Sequence, residues 1–257
     1  MIMWVKERGR DVLMWPVNLL RDGARRSGRL RQTLRQGAVG LVQFVPEGVQ
    51  AARAGALRGW LARQPGRLIY WLHRLLMQIF DVVGGPEIGQ FLMHLITHTT
   101  PLTPVERAMI EEVLGPGAMR YHDVRVAEGG LMDWVFKWNG NLAFTTWHTV
   151  NFPRKGRHTR HNHPILMHEL THVYQYERVG SRYLGEAIYM LIKTKRNCYS
   201  YGGAEGLHVD RQGGKYYKEF NREQQAQIVQ DYFTRRQDGQ DITAYEPFLI
   251  EVRAGEL

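Results

Sequence analysis

Pro164-Ile165-Leu166-Met167-His168-Glu169-Leu170-Thr171-His172-Val173-Tyr174-Gln175-Tyr176 is the stretch on which the reading of this chain turns. Residues four apart share one face of an α-helix, one turn from each other. His168 and His172 can therefore reach one metal ion from a single helix. Glu169, between them, can then serve as a general base on water. Leu166, Met167, Leu170, Val173, Tyr174 and Tyr176 are apolar enough to bury the helix and so fix the histidine rotamers. Pro164 suits the first turn, with Asn162 or His163 just outside. A buried amphipathic helix with two hydrogen-bonded histidines is the plainer alternative; the H-E-x-x-H spacing favours the metal reading.

Two histidines do not complete such a site, since a catalytic zinc takes three protein ligands and keeps one position open. The metzincin continuation needs Gly at 175 and His at 178, where this chain has Gln175 and Arg178. A carboxylate from a later helix is the other common solution. Glu177 sits on the same helix but on another face. Glu186 is a candidate, and Glu205 lies in a Gly-rich stretch that suits a ligand less well. Glu223 opens a segment that Asn221 can N-cap and that Ala226, Val229 and Phe233 supply with an apolar stripe.

Met167 to Gln175, followed by Glu223-Gln224-Gln225-Ala226-Gln227-Ile228-Val229, resembles a group of small bacterial gluzincin-type metallopeptidase-like proteins. Some of these are Vgr-related and accompany contractile injection systems. Pro101-Leu102-Thr103-Pro104-Val105-Glu106, an apolar helix, and a strand over Tyr121 to Val126 fit the same group. The resemblance spans about residues 100–235 and does not explain residues 1–100. It implies a zincin fold and one zinc ion, with His168, His172 and Glu223 as its ligands. It also implies that a strand near residues 142–150 pairs with an extended peptide substrate.

The expected fold class is α+β. A zincin-like domain with a small sheet and the H-E-x-x-H helix occupies residues 101–257, preceded by a basic, mainly helical region, residues 1–100. Charge separates the two parts. Residues 1–75 hold 14 Lys and Arg, 13 of them Arg, against four Asp and Glu, whereas the remainder is nearly neutral. Cys198 is the one cysteine, which excludes an internal disulfide framework, and is read as a small buried apolar side chain.

The apolar run near the N-terminus is short and broken by Pro16, so it is not read as a signal peptide. No stretch reaches the length of a membrane span. The chain is expected in the cytoplasm, or exported without a classical signal peptide, with a membrane-peripheral position open to it. Residues 21–36 read as a solvated or partly disordered basic arm. Residues 49–63, 67–83 and about 88–96 read as helices, and Thr99-Thr100-Pro101 as a linker. Val135, Phe136, Trp138, then Leu142, Phe144, Thr146, His148 and Val150, alternate as strands do, with Asn139-Gly140 as a hairpin turn. His158, His161 and His163 could form a second metal site, but without an acidic or Cys partner they read as a basic loop. Residues 199–217 read as a long loop, with Tyr199, Tyr201 and His208 as candidates for stabilising an oxyanion.

The preferred expectation is a zinc-dependent metallopeptidase acting on peptide or protein substrates, with Glu169 as general base. The alternative is a non-catalytic zinc-containing binding or delivery module, working through its basic N-terminal region at a membrane or secretion apparatus. Arginines interspersed with Trp4, Trp15, Trp60 and Trp71 suit anionic lipid headgroups; nucleic acid is disfavoured because no recognition motif is visible.

Overall fold

Two long helices, α1 (Ile2–Arg53) and α2 (Leu57–Val82), reverse direction over residues 54–56 and form a hairpin. The computed structural model describes residues 2–130, 133–194 and 197–257. The hairpin closes tightly because small residues meet large ones. A Cβ on Gly37 would lie 2.5 Å from the Trp71 ring, and one on Gly48 would lie 3.1 Å from Trp60. The segment 21–36 is therefore no solvated arm but the middle of α1, and Arg26 is 2% exposed. Its partners account for the difference. Arg26 donates to the Asp81 backbone oxygen at 2.6 Å and forms a two-pronged pair with Glu87.

α3 (Gly85–Ile96) follows, and then Thr99–Pro101, which is a strand (β1) and not a linker. It pairs antiparallel with Arg125–Ala127 of β2 (Arg125–Glu128). As a sheet-edge strand it tolerates Pro101, which lacks an N–H to donate. α4 (Pro104–Leu114) starts at a capping box between Thr103 and Glu106. Tyr121–Asp123 form a single 3₁₀ turn, so the strand expected from residue 121 begins only at Arg125.

Val135, Phe136 and Trp138 fall in a short helix, α5 (Asp133–Asn139), where a strand was expected. Short apolar runs fit either period. Asn139-Gly140 ends that helix: the Asn139 side chain accepts from Leu142 N at 3.0 Å and donates to its O at 2.9 Å. The hairpin of the sheet lies later, between β3 (Phe144–Thr146) and β4 (Thr149–Phe152), so His148 is in the turn. The four-stranded sheet is mixed, in the order β1-β2-β4-β3, with β2 and β4 parallel. β3 is thus an edge strand.

α6 (His163–Val179) and α7 (Arg182–Thr194) meet at Gly180-Ser181. Residues 155–162 form the expected loop ahead of α6. The expected loop at 199–217 contains a helix, α8 (Gly203–Gln212), held by the fully buried Leu207. α9 (Arg222–Gln237) packs against α6, and α10 (Glu246–Ala254) closes the core. That core gathers Ile110, Val126, Val150, Leu170, Val173, Ile228, Val229 and Phe248 around α6. The architecture is α+β, mostly helical.

The hairpin is tied to this core by buried ions. Arg120 binds Asp22 of α1 with Nη1, 2.9 Å to each carboxylate oxygen, and Glu177 of α6 with Nε, 3.0 Å. Asp81 of α2 accepts from Ser181 N at 3.0 Å and Ser181 Oγ at 2.5 Å. Gly180 has φ 76°, and a Cβ there would stand 2.0 Å from Asp81 Oδ2, so only glycine fits this corner.

Candidate metal centre

α6 is buried on nearly every side, and its polar residues are therefore spent on specific partners. Asn162 caps it by accepting from Ile165 N at 3.2 Å. His168, Glu169 and His172 lie on its second and third turns, each at most 6% exposed. α9 begins at Asn221, whose side chain accepts from Glu223 N and Gln224 N. This cap aims the first turn of α9 at α6. Glu223 Oε2 comes to 3.2 Å from His168 Nε2 and 3.5 Å from His172 Nε2.

Those separations suit a metal. Bonds of about 2.0–2.1 Å to a tetrahedral zinc place its ligand atoms about 3.3 Å apart. Two imidazoles and one carboxylate are a common zinc donor set, and this buried trio is the group among the described residues able to hold an ion. Glu186, the rival third ligand, is elsewhere: it pairs with Arg222 Nε at 2.7 Å and accepts from Tyr70. Glu177 binds His148 and Arg120, on the other side of α6 as expected.

A chain of side chains orients His172. Arg222 can only donate, and its Nη1 lies 3.0 Å from Gln225 Oε1. Gln175 Nε2 donates to that same oxygen and to the Arg222 backbone oxygen, each at 3.0 Å. Gln175 Oε1 must then accept, and the group it faces at 2.8 Å is His172 Nδ1. Gln175 thereby holds the His172 ring with Nδ1–H toward itself and turns Nε2, the atom a metal would take, toward Glu223. Gln175 thus has a use of its own at a position where the metzincin pattern has glycine. His168 Nδ1 is buried with no hydrogen-bond partner.

The electrostatics follow from burial. Burial pushes the Glu169 carboxyl up, against the pull of both histidines. It would do the same to Glu223, but His172 and His168 hold that carboxyl far below the usual carboxylate range. Burial disfavours charge on His172, yet Glu223 raises its pKa to about 9. Thr145 of β3 donates to Glu169 Oε2 at 2.7 Å and so fixes the carboxylate beside the trio.

A cleft opens over these groups. Leu142, Ala143 and Phe144 border one side, and Leu184, Ala187, Ile188 and Leu191 of α7 line the other, with Tyr199 at its rim. The Tyr199 ring is centred 5.8 Å from that of His168. Tyr201 instead bonds Asp231 and Tyr245, and His208 bonds Gln212 on the surface, so neither faces the site. Tyr183, unnoticed in the sequence, donates to Thr145 O at 3.0 Å and accepts from Trp147 N at 3.1 Å. It thereby occupies the outer edge of β3 at those residues, and Leu142 to Phe144 remain as the stretch beside the cleft. The apolar periodicity of α7 could have flagged Tyr183; nothing local could have flagged Gln175 or Thr145.

No curated protein and no solved structure matches this chain. Residues 101–180 match the family model of the eCIS core domain, a span that holds β2, β3, β4 and α6 but stops short of Glu223 and leaves out the α1–α2 hairpin. This stretch is similar to a domain of extracellular contractile injection systems, and an association of the chain with such a system is what that similarity supports.

Proposed function

We infer that the protein is a zinc-dependent peptidase of the gluzincin type, acting in the context of a contractile injection system. The observation that carries this is the buried trio His168, His172 and Glu223 at ligand spacing, with Glu169 pinned beside it at the floor of an apolar cleft. Zinc held there would supply a Lewis acid that polarises a carbonyl and makes water a nucleophile near neutral pH. Glu169 takes a proton from the attacking water and returns it to the leaving amine. Its raised pKa brings it nearer the value at which it can both accept and give that proton. Thr145, donating to Oε2, fixes the orientation of that carboxylate. Tyr199, at the rim beside His168, is the best placed of the three oxyanion candidates. Leu142 to Phe144 are placed to align an extended chain, and the aliphatic wall of α7 to receive its apolar side chains.

Metal analysis of purified protein tests the reading. One zinc per chain is expected, and His168→Ala should lose it. Glu169→Gln should keep the zinc while cleavage of a casein or peptide-library substrate falls by about 10²–10⁴-fold. Wild-type protein that holds no zinc would sink the proposal. Zinc with no turnover would assign the chain to the non-catalytic delivery module instead.

A further inference from the structure

We propose that the outer face of the α1–α2 hairpin docks on an anionic lipid bilayer. Its apolar part is not made by the tryptophans that composition singles out. Trp60 is buried over Gly48, and Trp71 packs on Gly37 and donates to Thr33 O at 2.9 Å, so both tryptophans hold the hairpin together. Trp4 has its side chain outside the described part of the structure.

What the hairpin leaves outside is aliphatic. Leu41 is 78% exposed, Val45 67%, Leu68 56% and Leu76 60%, and Leu61 and Leu72 are also exposed. The hairpin seam is marked on α1 by Thr33, Gly37, Phe44 and Gly48 and on α2 by Trp60, Gln64 and Trp71. At about 100° per residue, Leu41 and Val45 lie on average about 70° around α1 from that seam, and Leu61, Leu68, Leu72 and Leu76 about 95° around α2, in the same rotational sense. The two helices are antiparallel, so equal offsets in one sense place both stripes on the same side of the hairpin. Asp22, Tyr70 and Asp81 are displaced in the opposite sense, and these bind Arg120, Glu186 and Ser181 of the rest of the protein. The aliphatic face therefore points away from the body that carries the metal centre. On α2 it continues from Leu61 to Val83, about 33 Å.

Charge selects the occupant. Glu47 is the sole acidic residue between positions 23 and 80, and it is paired with Arg67 at 2.7 Å. Exposed Arg31, Arg35, Arg53 and Arg58 fall at the outer margins of the two stripes by the same angular count. An apolar face edged by arginines is the arrangement of an element lying in a membrane interface: the aliphatic groups enter the acyl boundary and the guanidiniums meet phosphates. A second copy laid on this face would set arginine edges against arginine edges. No helix among the described residues is long and apolar enough to cross a membrane, so the docking is peripheral.

The full-length protein is floated with phosphatidylcholine vesicles, with and without phosphatidylserine. Binding is expected only with phosphatidylserine, and weaker at high salt. Leu68→Asp with Leu72→Asp should reduce binding at least about tenfold. Arg53→Glu with Arg58→Glu should do the same without touching the apolar face. Helical circular dichroism and zinc content should be unchanged in both variants, so the result is independent of the peptidase reading. Absence of binding, equal binding to neutral vesicles, or full binding by either folded variant overturns the proposal. A solution dimer that Leu68→Asp dissociates, with no lipid binding, would also overturn it and assign the face to a second copy.

Discussion

Both halves of the molecule bury charge, and they do so in opposite ways. In the hairpin, the most buried ions are answered by oppositely charged or hydrogen-bonding groups across a contact. Asp22 faces Arg120, Arg26 faces Glu87, and Asp81 faces Ser181. Such paired networks join surfaces. In the other half, His168, His172 and Glu223 are neutralised chiefly by one another, beneath a cleft. Burial is common to both; what marks the second cluster as chemical is convergence of three metal-binding atoms without an opposing cation. Glu186 and Glu223 show how finely this divides. Both are buried carboxylates near α6, yet Glu186 is answered by Arg222 and Glu223 by two imidazoles.

The contrast can be broken by substitution. Arg120→Ala strips partners from both Asp22 and Glu177 and should cost about 3–5 kcal/mol in urea unfolding, while the folded fraction still takes up zinc. Acid attacks the same network. Burial disfavours the Glu177 charge, but His148 and Arg120 lower its pKa from 4.5 to about 2. A depressed carboxylate stabilises the fold fully above its unfolded pKa and ceases to do so as pH falls through the folded one. Stability should therefore drop by about 3 kcal/mol between pH 4.5 and 2, and Glu177→Gln should flatten that part of the pH–stability curve.

Smaller effects sharpen the metal cluster. Gln175→Ala removes the acceptor that orients His172 and should weaken zinc about 10–100-fold in a competitive chelator titration. Glu186→Gln should leave zinc in place, with at most a minor loss relayed through Arg222. Zinc loss there as large as in Glu223→Ala would move the ligand assignment.

Local patterns made the centre of the site legible. Four-residue spacing gave the two histidines, Asn162 and Asn221 marked the starts of α6 and α9, and the apolar residues of α6 announced its burial. That Glu223 joins the two histidines was what the resemblance implied, and the stripe of α9 indicated a separate packed helix. What escaped depended on contacts distant in sequence. Gln175 acquires its role from Arg222 and Gln225, and Thr145 from a strand lying beside Glu169. The arginines of α1 read as solvent-facing because Asp81, Glu87 and Arg120 are 55 or more residues away from Arg26 or Asp22. β1 and α5 were misread because three to seven residues carry too few periods to tell a strand, a helix and a linker apart.

The corner at Gly180-Ser181 has a consequence for how the protein is made. Its two turn-closing donors, Ser181 N and Oγ, are met by Asp81, a residue synthesised a hundred positions earlier. The α1–α2 hairpin lies wholly ahead of α6 in the chain and can already be formed when α6 emerges. Asp81, fixed on α2, then presents its carboxylate to the corner at which α6 turns into α7.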